Sequence, residues 1–188
     1  EEKNKLACSV FRFLVYKWAH AEKKQYLDEK IEIASGRTQI SYLIMVADTP
    51  LLLRLFTLFL IVYYFELRIQ NQLEKGAKRL RYLGLDYEFR MRKIALMQMN
   101  FETFASPSFP TDSFIWIIQP TELESLSLKI LLGLIIRNKK IYKILHGSDS
   151  LDIPYMYTEL FGGDKQTILD FTRKIIDTRF PCEYYRVS

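Results

Sequence analysis

The stretch Tyr82-Leu83-Gly84-Leu85-Asp86-Tyr87-Glu88-Phe89 decides how the rest of this 188-residue chain is read. It is rich in aromatic and aliphatic side chains and has the length of a strand. On a strand, residues two apart share a face, so Asp86 and Glu88 project side by side. Two adjacent carboxylates near an apolar sheet repel one another and lose hydration, and a divalent cation between them relieves both costs. Mg²⁺ and Mn²⁺ favour such oxygen-only ligation. Two solvated acids at a strand end satisfy the same pattern, so D-x-E alone leaves both readings open.

On either side of this stretch the chain alternates in type. Upstream, Tyr42 to Ala47 (YLIMVA) has strand length, and Thr49-Pro50 reads as an N-cap followed by proline at the first helical position. The helix it opens runs to about Lys78. Residues Leu51 to Ile69 average about +1.7 on a hydropathy scale, within the range of membrane spans. Arg54, Glu66 and Arg68 interrupt them, however, and the uncharged run Leu55 to Phe65 is only 11 residues, too short to cross a bilayer. A buried core helix is expected, and no membrane partner. Residues 5–32 read as a further helix closed by Ser35-Gly36. Downstream, KIALMQMNF (93–101) and FIWII (114–118) read as strands, with a loop of ASPSFPTD between them. Thr121 with Glu124 forms a capping box for a helix to about Arg137. IYKIL (141–145) is a strand, Leu151 to Phe161 a short helix with Pro154 in its first turn, and Asp164 caps another helix to about Lys174. Strands interleaved with helices predict an α/β or α+β domain.

The charge, 27 Lys+Arg against 22 Asp+Glu, is +5, and the hydrophobic fraction is 49%. These values exclude a disordered or low-complexity chain. Cys8 and Cys182 cannot staple a domain of this size, and no paired Cys/His spacing suggests zinc, so an intracellular setting is expected. The basic pI of about 9.1 permits a polyanionic partner. Cations flank the acidic strand: Lys75, Lys78, Arg79 and Arg81 before it, Arg90, Arg92 and Lys93 after it. A second group, Arg137, Lys139, Lys140 and Lys143, precedes His146. All can attract phosphates or serve as solvated faces.

The order of motifs resembles the RNase D-like branch of the DEDD 3′–5′ exonuclease superfamily. Asp86-Tyr87-Glu88-Phe89 stands where that family has DTEF at a strand end. Ile94-Ala95-Leu96-Met97-Gln98 and Ile115-Trp116-Ile117-Ile118-Gln119-Pro120 match its next two strands. Lys143-Ile144-Leu145-His146-Gly147, leading to Asp152-Ile153, is similar to its second motif, and Ile176-Asp177-Thr178 to its later hydrophobic-Asp-Thr step. The resemblance covers about residues 40–188. It implies a ribonuclease H-like mixed sheet flanked by helices over residues 36–188, after an N-terminal helical extension of residues 1–35 that is available to a protein partner.

Three departures qualify the match. Tyr87 replaces a small Thr, which is expected to alter how a nucleotide approaches. The loop after His146 is one residue longer, so Asp149 competes with Asp152, the favoured third carboxylate, because DIPYMYTELF continues into a helix as the family motif does. The last family motif, a Tyr or His base with a fourth Asp, has no counterpart before Ser188. Since the first residue is Glu1, a piece of a longer protein is one explanation and a silent domain the other. The resemblance implies a metal-dependent 3′–5′ exonuclease on RNA or single-stranded DNA. Asp86, Glu88 and Asp152 would be its catalytic and metal-binding residues, two Mg²⁺ or Mn²⁺ ions its cofactors, and Arg90, Arg92, Lys93 and Tyr155 its nucleic-acid contacts. A catalytically inactive exonuclease-fold domain that binds nucleic acid or protein is the alternative. His146 is expected to be structural.

Overall fold

A computed structural model describes residues 29–32, 39–73, 81–103, 109, 112–149 and 151–179 of the chain. Among the described residues seven strands form one sheet in the order β1-β2-β5-β4-β3-β6-β7. They are β1 Glu29–Glu32, β2 Gln39–Ala47, β3 Arg81–Arg90, β4 Lys93–Glu102, β5 Ser113–Ile118, β6 Ile141–Leu145 and β7 Ile175–Asp177. The helices are α1 Pro50–Leu73, α2 Ser125–Ile136, α3, which begins at Asp152–Tyr155 and widens into a π-turn over Met156–Leu160, and α4 Lys165–Thr172. β1 runs antiparallel to β2, whereas β3, β6 and β7 run parallel to one another. This is the expected mixed α/β sheet with flanking helices.

By compactness the chain divides into one unit of residues 1–79 and 100–117 and another of 80–99 and 118–188. In the first, Thr49 caps α1 as its sequence predicts, its hydroxyl accepting from the Leu52 amide at 3.2 Å. Leu43, Met45 and Ala47 of β2 alternate into the core, as a strand with one covered face requires. Phe56, Phe59, Leu60, Tyr63 and Leu67 of α1 bury one helical stripe. Among the described residues α1 is the one helix long and apolar enough to cross a membrane, and half of that apolar window is buried within the protein. Phe59 is central: its ring centroid lies 4.8 Å from Phe101, 4.8 Å from Phe114, 5.0 Å from Phe109 and 5.6 Å from Trp116.

Two local expectations are corrected here. Residues 1–28 and 33–35 of the expected helical extension lie outside the described residues, but Glu29–Glu32 is a strand. Its backbone is paired with β2, Ile31 opposite Ile40, and cross-strand bonds there replace helical ones. The capping box of Thr121 and Glu124 does not form. Pro120 instead opens a single 3₁₀ turn, Pro120–Glu122, and α2 begins only at Ser125, with Glu124 at its N-cap making no side-chain bond.

In the second unit β3 shows strict alternation. Leu83, Leu85 and Tyr87 are buried, while Tyr82, Asp86, Glu88 and Arg90 are exposed. β3 and β4 are neighbours joined by the two residues Met91 and Arg92, with φ of 50° and 59°, so they form an antiparallel hairpin. A two-residue hairpin turn with both residues left-handed suits Asn-Gly, whereas two L side chains there are strained. Replacing Met91→Asn together with Arg92→Gly is expected to stabilise the chain by about 1–2 kcal/mol, read as a higher urea midpoint. An unchanged or lower midpoint would count against this description of the turn.

Candidate functional site

β6 and β7 end at this site, and β3, parallel to both, runs past it. β6 pairs with β3 through Leu83 opposite Lys143 and Gly84 opposite Ile144, and with β7 through Leu145 opposite Asp177. Asp86 follows on β3, Asp177 closes β7, and the loop after β6 leads through residues 146–151 into α3, whose first residue is Asp152. β3 also has its hairpin partner β4 on one side and β6 on the other, the kind of reversal beside which open α/β sheets bind ligands, beyond the carboxyl ends of their strands.

Asp152 is only 8% exposed. Burial first, then the nearby charges of Asp86 and Asp177, push its carboxyl up to about 6. Asp86 and Asp152, 66 positions apart in sequence, therefore share one electrostatic environment. Glu88 projects from the same face of β3 as Asp86 and is exposed. Asp149 is engaged elsewhere: both of its oxygens meet the Arg179 guanidinium, at 2.9 and 3.0 Å. Among the described residues no three His, Cys, Asp or Glu side chains are gathered closely enough to hold a metal ion. Asp86 and Asp152 are the residues that would hold a hard divalent cation here, since Mg²⁺ is commonly held by one or two carboxylates, with water and substrate phosphate completing its shell. A second ion has no assembled ligand set among the described residues.

Asp177 has a different environment. Its carboxylate accepts from the Gly147 amide at 2.9 Å, the Ser148 amide at 2.8 Å, the Ser148 hydroxyl at 2.8 Å and the Arg179 amide at 3.0 Å. Burial alone would raise this acid, but these donors hold it well below the usual carboxylate range. His146 meets the Thr178 hydroxyl through Nδ1 at 3.0 Å, and the Thr178 amide donates to the Leu145 carbonyl at 2.9 Å. The hydroxyl-to-imidazole contact gives His146 a partner just past the end of β7.

Several other expectations are revised by burial. Tyr87 points to the opposite face of β3 from Asp86 and Glu88, is 5% exposed, and its hydroxyl has no hydrogen-bond partner among the described residues. Burial, then the Asp152 charge, push its phenol up. Lys143 is fully buried, and its ammonium donates to the Asn138 carbonyl at 3.0 Å. Burial, then Lys174, pull it down to about 8, opposed by Asp170. It cannot attract phosphate. Arg137 pairs with Asp170 at 3.0 Å, and Arg81 is buried. Lys139 and Lys140 are exposed but precede β6, at the amino end of the parallel strands and away from the acids. Arg90, Arg92 and Lys93 are exposed at the hairpin, Arg90 roughly 13 Å along the strand from Asp86. Tyr155 is half-buried and packs on Phe89 with ring centroids 5.0 Å apart. Lys75, Lys78 and Arg79 lie outside the described residues.

No family model matches the chain. A mimivirus protein, "Uncharacterized protein L533" of Acanthamoeba polyphaga mimivirus, is 52% identical over 107 residues, which is 57% of this chain. The chain spans about a fifth (20%) of that relative's length. Among solved structures, the Nibbler EXO domain of Aedes aegypti aligns over 76% of this chain and 56% of its own, with a TM-score of 0.40 and 12% identity.

Proposed function

We propose that the chain is a metal-dependent 3′–5′ exonuclease domain acting on RNA or single-stranded DNA, with Asp86 and Asp152 as the carboxylates that hold a divalent cation. The observation that carries this reading is the burial of Asp152, at the start of the helix that follows β6, within reach of the charge of Asp86. A bound Mg²⁺ or Mn²⁺ would supply charge neutralisation at phosphate and lower the pKa of a coordinated water. Asp152 must release its proton to ligate, so cation affinity is expected to fall below about pH 6. Glu88, exposed on the same face, is available from the substrate side as the third acid of the motif order. Arg90, Arg92 and Lys93 offset the repulsion between the acids and a polyanion. The pair holds one ion, where the family resemblance implies two.

The catalytically silent reading is favoured by one observation, the absence of three gathered ligands among the described residues. An assay on 3′- and 5′-labelled RNA and DNA with Mn²⁺ separates the two. Stepwise shortening from the 3′ end is expected, with Asp86→Ala losing more than the roughly 10–100-fold typical of removing a residue that only supports a ligand. Oligonucleotide that is bound but never shortened selects the silent domain, and equal shortening by Asp86→Ala removes the site assignment.

A further inference from the structure

We infer that Asp177 is the positioning residue of this site, clamping the 146–149 turn so that α3 delivers Asp152 to Asp86; this rests on the reading of those two acids as cation ligands. An ionised carboxylate has about four lone-pair sites. On Asp177 four donors occupy them: the amides of Gly147, Ser148 and Arg179 and the Ser148 hydroxyl. It has no free lone pair for a cation, although it lies close enough to Asp152 to act on its charge. It is an acid of the site that cannot be a ligand.

The turn is built around that carboxylate. Gly147 adopts φ +64°, a left-handed conformation through which successive N–H groups can converge on one anion. The clamp continues directly into α3, because the Ser148 carbonyl accepts from the Ile153 amide at 2.9 Å. From Asp177 to Ser148 to Ile153 two linked bonds therefore set the start of the helix whose first residue is Asp152. The flanking residues of β7 reinforce the same loop. Thr178 binds Leu145 and His146, and Arg179 grips Asp149 with both guanidinium arms. The hydrophobic-Asp-Thr step is thus a fastening, and its acid acts through Asp152.

The test compares Asp177→Asn and Ser148→Ala with the unaltered chain, reading Mn²⁺ affinity by calorimetry and hydrogen exchange of the Ile153 amide by NMR in metal-free protein. An asparagine side chain keeps one acceptor and turns an amide group on the remaining donors, so Mn²⁺ affinity is expected to fall about 10–100-fold. Ser148→Ala, which removes a single bond, should fall less and in the same direction. A residue that only holds the fold together would lower the melting temperature and leave the affinity of the folded protein alone. Folded Asp177→Asn that binds Mn²⁺ as the unaltered chain does overturns the inference. Should that variant not fold, unchanged affinity in Ser148→Ala overturns it instead. If the unaltered chain takes up no Mn²⁺, the cation reading fails by itself. The clamp is then decided by exchange of the Ile153 amide in Ser148→Ala, which removes no charge: faster exchange than in the unaltered chain supports it, and an equal rate refutes it.

Discussion

Metal-free Asp152→Asn is expected to melt roughly 6–12 °C above the unaltered chain at pH 7.5, and level with it near pH 4. The carboxyl of Asp152 is raised from 3.8 to about 6, so the folded chain holds this proton more tightly than the unfolded chain does. The stability associated with that proton is fully present below about pH 4 and is lost as pH rises through 6. Two pKa units at about 1.4 kcal/mol each put the loss at up to about 3 kcal/mol at neutral pH. Asparagine has the shape of the protonated acid and does not ionise, so it escapes the loss. The same substitution removes a cation ligand, and the predicted gain in stability accompanies a loss of Mn²⁺ affinity, as expected when like charges are kept together for function. Melting in EDTA at pH 4, 6 and 8 checks it. A difference independent of pH would mean that Asp152 is not the strained acid described here.

Phe59→Ala is expected to cost about 3–5 kcal/mol, the range for truncating a large buried aromatic. Phe59 is fully buried and lies at the centre of the cluster of Tyr63, Phe101, Phe109, Phe114 and Trp116. Alanine removes the ring from contact with rings arriving from α1, β4, β5 and the segment at Phe109. Tilted and edge-on aromatic pairs add to the loss of buried area. Rings this mutually constrained have little room to collapse into the space. Urea unfolding followed by Trp116 fluorescence reads the change, with Trp18 replaced so that Trp116 is the single reporter. A loss below about 1 kcal/mol would show that the cluster refills the void and that Phe59 is not its centre.

Much of the fold is legible one segment at a time. Val, Ile, Leu and aromatic runs of strand length place β2 to β6, and Thr49-Pro50 marks where α1 begins. The alternation of β3 puts Asp86 and Glu88 on one face because a strand's period is two whatever surrounds it. β1 is hidden because EKIE lies in a stretch with helical composition, and its strand pairing comes from β2. β7 is hidden because three residues carry no periodicity. The resemblance picks out Ile176-Asp177-Thr178 without indicating that Asp177 is a clamp.

By itself the amino-acid order determined the alternation of strands and helices and the common face of Asp86 and Glu88, since both follow from backbone geometry over a few adjacent residues. Only the tertiary structure decided that Asp149 is spent on Arg179, that Asp152 is buried within reach of Asp86's charge, that Lys143 is sealed in the core, and that Asp177 is filled with donors. Each of those outcomes depends on desolvation and on partners about 30 or more residues away, apart from the short reach of Lys143 to Asn138 and of the Arg179 amide to Asp177. Burial and partnership are properties of the assembled sheet, not of any local run of residues.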